Sequence, residues 1–462
     1  MRTRKLLLAL LLPLLLCPTR AWAHAHLKRS EPAAGSRLTG SPQWIRFWFT
    51  ERPELSMTAI SIKDAKGNVF ALATPEADRN DPLLISVRVA QALPAGRYTV
   101  AWRTAASDGH PSRGTFTFVV LAETTVPGNG PVGQPKPADT SGSDNASAAS
   151  STTVPNGEDA DAVSSITDSL ARAFSFVGLL VVIGATVFRA LVLQGARELD
   201  TAVRGRMEQR AAAVGLAASV LLILAAIARV FLMSETMSAM PEMHAMSATE
   251  MAMHTQWGFA IRLELGAALG ALASFALAAR RVRGAWFVAT IAAILLAATP
   301  ALSGHAAASP KFTSLMIATD FLHVLGGGSW LGSLFLVMVV GVPLSLTRDG
   351  AERMSSIASL VNAFSPIALA SAALVVTSGV IASWVHLETL SALWQTTYGQ
   401  VLLVKLLLVA IAATIGAYNF RRVQPQLASE AGSARLKRSA GIELSVGFLI
   451  LLVTGFLTGI SP

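Results

Sequence analysis

The sequence predicts two parts: an all-β sandwich, then an all-α polytopic membrane domain of eight helices. Three observations predict this. Residues 24–121 carry short alternating runs rich in β-branched and aromatic residues. From about residue 170 onward, apolar runs are long enough to cross a bilayer. Basic residues gather on alternate connections between those runs. A chain that is 52% hydrophobic, with mean hydropathy +0.52, is too apolar for an ordinary soluble protein, and 462 residues suffice for more than one domain.

Residues 1–23 have the build of a secretory signal peptide. Arg2, Arg4 and Lys5 precede "LLLALLLPLLL", and Ala21-Trp22-Ala23 forms a small-x-small cleavage site. Cleavage there makes His24 the first residue of the exported chain. It also removes Cys17, the single cysteine, so no disulfide framework is available. Leu16 before Cys17 is too large for a lipidation signal.

In residues 24–121, "WIRFWFT", "TAISIKD", "LLISVRVA", "RYTVAWRT" and "TFTFVV" read as strands. Phe116, Phe118 and Val120 alternate with Thr115 and Thr117, and "DAKGN" and "LPAG" supply turns. A unit of about 100 such residues suits a sandwich. Residues 122–168 have almost no large apolar side chains and read as a flexible linker.

Residues 169–462 form the membrane domain. Its apolar runs lie near 173–193, 211–232, 257–279, 285–302, 312–343, 364–385, 400–418 and 441–460. With the β domain outside, the inner connections hold Arg197, Arg204, Arg206, Arg210, Arg280, Arg281, Arg283, Arg348, Arg353, Arg421, Arg422, Arg435, Lys437 and Arg438. The outer ones hold only Lys311. The net charge of +9 therefore reflects topology and gives no reason to expect a nucleic-acid partner.

Three constellations can carry chemistry. A freed His24 offers its α-amino nitrogen and its imidazole to one ion, and Asp108 and His110 sit two apart in the short connection "TAASDGHPSRGTF" between strands. Amine, imidazoles and carboxylate make a nitrogen/oxygen set that favours Cu(II) in a tetragonal arrangement. His26 is either an auxiliary ligand or a solvated side chain. The second constellation, residues 231–254, holds seven of the thirteen methionines. Met233, Met237, Met240, Met243, Met246, Met251 and Met253 are interspersed with His244 and His254. Thioethers suit Cu(I), although the same spacing also makes an apolar helix stripe.

The third constellation is intramembrane. Asp320 and His323 share a helix face that Trp330 continues, and His305 ends the preceding span; such groups mark pathways or paired sites. Lys405 within the seventh span and Glu443 opening the eighth read equally well as structural or functional groups, while Arg229, Arg262 and Glu264 border the outer ends of spans two and three, where a structural ion pair or interfacial snorkelling is the other reading. His386, at the outer end of the sixth span, is equally open.

Residues 24–121, through "HAHLKRSEPAAGS" and "LPAGRYTVAWRTAASDGHPSRGTFTF", resemble the periplasmic copper-binding CopC family. That resemblance implies a Greek-key, Ig-like or cupredoxin-like sandwich binding Cu(II) through His24, Asp108 and His110. Some members also carry a methionine-rich Cu(I) site in the sandwich; this domain has only Met57, so that second site is expected to be absent. The second half resembles the CopD membrane family in "SGHA", "DFLHVLGGGSWLG", "TTYGQVLLVKLLLV", "YNFRR" and the late glutamate.

A fused CopC–CopD chain implies a bacterial inner-membrane protein with a periplasmic N-terminal domain, handling copper without being an enzyme and served by periplasmic copper chaperones. A copper-dependent oxidative enzyme and a haem-binding electron carrier stay open as other readings. No G-x-x-x-x-G-K-[ST] motif is present, so transport would run on a gradient or on downstream binding. N-terminal sequencing of the exported chain is expected to return His-Ala-His-Leu; any other start removes the α-amino ligand.

Overall fold

A computed structural model describes residues 27–106, 111–122, 158–238, 248–308, 312–387, 389–427 and 429–460. Among them are nine strands: β1 (Leu27–Glu31), β2 (Arg37–Leu38), β3 (Trp44–Phe49), β4 (Ala59–Asp64), β5 (Val69–Phe70), β6 (Glu76–Ala77), β7 (Leu84–Arg88), β8 (Gly96–Ala105) and β9 (Pro111–Val120). They form two sheets, ordered β1-β3-β7-β6 and β2-β9-β8-β4-β5. Every pairing is antiparallel except β2 with β9. The chain changes sheet repeatedly between consecutive strands, which is the sandwich topology the sequence pattern and the CopC resemblance led us to expect.

Alternation explains the core. Ile45, Phe47 and Phe49 of β3 face Tyr98, Val100 and Trp102 of β8 and Phe116, Phe118 and Val120 of β9, all buried. Edge-to-face rings join the sheets: Phe47 lies 6.0 Å from Phe116, and Phe49 lies 5.3 Å from Trp102. The five strands predicted from sequence are β3, β4, β7, β8 and β9. The other four are short edge strands. An edge pairs on one side only and "LKRSE" has no apolar alternation, so nothing in its pattern announces a strand.

Eight helices are long and apolar enough to cross a membrane: α1 (Ile166–Gly195), α2 (Thr201–Glu235), α3 (Gln256–Ala279), α4 (Ala285–Ser303), α5 (Thr313–Leu346), α6 (Gly350–Val385), α7 (Thr397–Gln426) and α8 (Ala434–Leu457). Each corresponds to a predicted span. Helix α1 is central, packing on α2, α4, α5 and α8. It meets α5 at glycines, where a Cβ on Gly184 or Gly332 would overlap the other helix's backbone, and one on Gly328 would sit 2.7 Å from Ile183. The long run at 312–343 is therefore a single helix pressed against α1 and loosened by π turns at Gly328–Gly332 and Val337–Gly341.

The α8 region differs from its prediction. The helix runs back to Glu430, capped by Ser429, whose hydroxyl accepts the Gly432 N–H at 3.1 Å. Helicity thus starts in the polar stretch "EAGSARLKRSAG", well before the apolar run. Glu443 consequently lies near the middle of its helix rather than at its opening. Large apolar side chains such as Phe231, Phe287, Leu369 and Trp384 remain exposed on the bundle, as an acyl-chain environment requires. At the basic end, Arg348 pairs with Asp200 at 3.7 Å and with Glu352, joining two connections.

The sandwich rests on the opposite end of the bundle. Met57, in a 3₁₀ turn, and Ala105, at the end of β8, are buried with Met251, Trp257 and Ile261, and Val230, Met233 and Leu265 pack around them. The Glu54 carboxylate accepts the N–H of Gln256, the first residue of α3, at 3.2 Å. A helix N-terminus has unpaired N–H groups and a positive dipole end, so an acidic side chain suits it.

Gly332→Ala is expected to destabilise the detergent-solubilised protein by about 1–3 kcal/mol through overpacking, read as a lower thermal midpoint. Since alanine raises helix propensity by about 1 kcal/mol, a raised midpoint would refute the close α1–α5 contact.

Candidate metal sites

His24, His26, Asp108 and His110 lie outside the described residues, but the residues flanking them are defined. β1 begins at Leu27, which pairs with Phe49 at the end of β3. Four residues on, Pro53 bridges Ala106, and the Glu54 N–H donates to the Ala105 carbonyl at 2.7 Å. The β8–β9 pairing ends at Ala105 opposite Pro111. The N-terminal entrance and the connection carrying Asp108 and His110 therefore leave the same end of the sandwich. That end is the one seated on the bundle.

In the Met/His segment, Met240, Met243, His244 and Met246 lie outside the described residues, and Met237 falls in the last turn of the helix that contains α2. Met251, Met253 and His254 share the short helix Ala248–His254. Residues two apart on a helix face opposite ways, and here the consequence is plain. Met251 is buried at the sandwich junction, whereas Met253 and His254 are exposed. Arg262 donates to the Met253 carbonyl at 3.0 Å and to its Sδ at 3.2 Å. Nearby, Arg229 and Glu264 make a buried ion pair at 3.1 Å.

In the bundle, His305 opens the short helix His305–Ala308. Asp320 and His323 are half-buried on α5. His323 lies ten residues into α5, about 15 Å along its axis. Its Nδ1 is 3.0 Å from the Ser378 hydroxyl on α6, and Ser378 donates its one proton to the Leu374 carbonyl at 2.6 Å. The Ser378 oxygen can then only accept from the imidazole, so Nδ1 carries the hydrogen and Nε2 keeps its lone pair. A histidine with one nitrogen anchored in this way is oriented as a ligand or a proton acceptor.

Helix α7 completes the surroundings: Lys405 and Tyr398 both interact electrostatically with Asp320, and Lys405 with His323. Among the described residues, no group of three or more His, Cys, Asp or Glu side chains is placed to hold a metal ion.

Trp330 does not join that cluster. Its Nε1–H donates to Glu443 Oε1 at 3.2 Å, while Asn419 Nδ2 donates to Oε2 at 3.0 Å, forming a second polar group deeper in the bundle. The π turn at Gly328–Gly332 interrupts the helical stripe that linked Trp330 to His323 on paper. Ser378 and Asn419 escaped sequence reasoning because single hydroxyl and amide groups in apolar runs have no distinctive spacing. Their roles arise from helices far apart in the chain.

Comparison with known proteins is consistent along the chain. The CopC domain family model matches residues 27–121. The model for the copper resistance protein D-like N-terminal domain matches 164–311, and that for copper resistance protein D matches 358–457. The copper transport protein CutJ of Bacillus subtilis is 24% identical over 463 aligned positions, covering all of this chain and 78% of CutJ. Copper resistance protein C of Escherichia coli is 34% identical over 106 residues, 22% of this chain and 83% of that protein. The crystal structure of CopC from Methylosinus trichosporium OB3b aligns at 25% identity with TM-score 0.21, covering 22% of this chain and 99% of that one.

Ser378→Ala removes the acceptor that fixes the His323 tautomer. Nitrogen-15 NMR of the imidazole is expected to show a single Nδ1–H form in the parent and a mixture in the variant.

Proposed function

Because this chain belongs to the fused CopC–CopD copper-resistance family, we propose that it captures Cu(II) outside a bacterial inner membrane and passes copper to its membrane half for import, homeostasis and tolerance. His24, Asp108 and His110 make the capture site, with His26 as auxiliary ligand. The Met/His segment, comprising Met237, Met240, Met243, His244, Met246, Met251, Met253 and His254, is a Cu(I) station. His305, Asp320 and His323 receive the ion within the bundle. The sandwich is periplasmic, periplasmic copper chaperones deliver to it, and the protein acts as a carrier rather than a catalyst.

One observation carries this reading. The sandwich end from which the Asp108–His110 connection departs is seated on the bundle beside the Met/His segment and α3. A capture site on the far end of the sandwich would leave the ion most of a domain's length from the membrane. The seated end shortens that path to the junction itself.

Within the bundle, the Nδ1–H of His323 is held by Ser378, which leaves Nε2 with the electron pair a metal needs. Lys405 sits close enough to interact with both Asp320 and His323. The Lys405 side chain in this position shares Asp320 with any ion that arrives there. Such weak, shared binding suits passage rather than storage.

Cells carrying His323→Ala are expected to accumulate less radioactive copper than cells with the parent chain, while Cu(II) binding by the sandwich stays unchanged. Equal accumulation would remove His323 from the path.

A further inference from the structure

The junction between sandwich and bundle brings together three methionines from three separate parts of the chain. Met57 belongs to the 3₁₀ turn of the sandwich, Met233 to α2, and Met251 to the short helix before α3. All three lie in one packed cluster walled by Trp257, Ile261, Ala105, Val230 and Leu265. Two neighbouring carboxylates are engaged: Glu54 accepts the Gln256 N–H, and Glu264 pairs with Arg229.

We propose that Met57, Met233 and Met251 form an interdomain thioether site for Cu(I), complete only when the sandwich is seated on the bundle. The inference rests on the copper-handling reading and deepens it by adding Met57 and Met233 to the ligand set. Thioether sulfur is a soft, neutral donor, and a site built from it alone selects monovalent copper over Cu(II), zinc or magnesium, which require nitrogen or oxygen donors. Burial acts in the same direction, since one charge costs less to desolvate than two. The face of Trp257 adds a polarisable wall that tolerates a cation.

The partition of the two neighbouring methionines supports the assignment. Met253 is exposed and its sulfur accepts a hydrogen bond from the Arg262 guanidinium. Met251 turns away from that arginine into the junction. Ala105, which belongs to the same cluster, precedes Asp108 by three residues, so the site adjoins the capture loop in the chain.

The test is an anaerobic titration of the detergent-solubilised full chain with Cu(I) against a chromophoric Cu(I) chelator. Met57→Leu and Met251→Leu keep the packing volume and remove the sulfur. Each is expected to weaken one Cu(I) equivalent by about tenfold or more and to remove one sulfur from the copper shell seen by X-ray absorption, whereas Met207→Leu, buried in the bundle core away from the junction, changes neither. Parental Cu(I) affinity and sulfur count in both Met57→Leu and Met251→Leu would overturn the interdomain site. Cu(II) titration of the same samples separates the two levels: retained Cu(II) binding there leaves the capture reading standing, while a parent chain that binds neither ion sinks both. If Met57→Leu lowers the thermal midpoint, Met251→Leu reads the site from the bundle side.

Discussion

A polar side chain inside a bilayer has no water to turn to, so it must find its partner within the protein. This constraint organises the bundle. Arg229 and Glu264 neutralise one another beside the sandwich, His323 is held by Ser378, Asp320 interacts with Lys405 and Tyr398, and Glu443 takes hydrogen from Trp330 and Asn419. Each pairing joins different helices, so the groups that carry chemistry also fix how the helices meet. The glycines on α1 and α5 permit a separate close approach of those two helices by removing the side chains that would hold them apart.

The same economy governs the sandwich. Its aromatic interior is built from three central strands and is independent of the bundle, whereas its bundle-facing end is not self-sufficient. Met57 and Ala105 are buried in one cluster with Met251, Trp257 and Ile261 of the bundle. An apolar end that packs against a second domain ties the connection between β8 and β9 to that end of the bundle.

Much of this was legible in the chain. The eight spans follow from runs of apolar residues whose only alternative to lipid is a core larger than the domain offers. The five long strands follow from alternation that a two-layer sandwich enforces. The short edge strands were not legible, because "LKRSE" and two-residue segments bury too little to bias their composition. Nor was the start of α8, where a serine cap and a polar first turn extend the helix beyond its apolar stretch. The stripe from His323 to Trp330 failed for a related reason: a π turn breaks the constant rotation per residue on which helical spacing depends.

What the sequence by itself determined is which residues are available: a histidine directly after Ala21-Trp22-Ala23, Asp108 and His110 two apart, methionines crowded into one segment, and ionisable groups within apolar spans. These are local properties, set by neighbours along the chain. Which of them meet was decided only by the tertiary structure. Met57 reaches Met251 across nearly two hundred residues, and Ser378 reaches His323 across two helices. Such meetings depend on how whole elements pack, and packing is set by the summed shape and polarity of many side chains rather than by the spacing of any few.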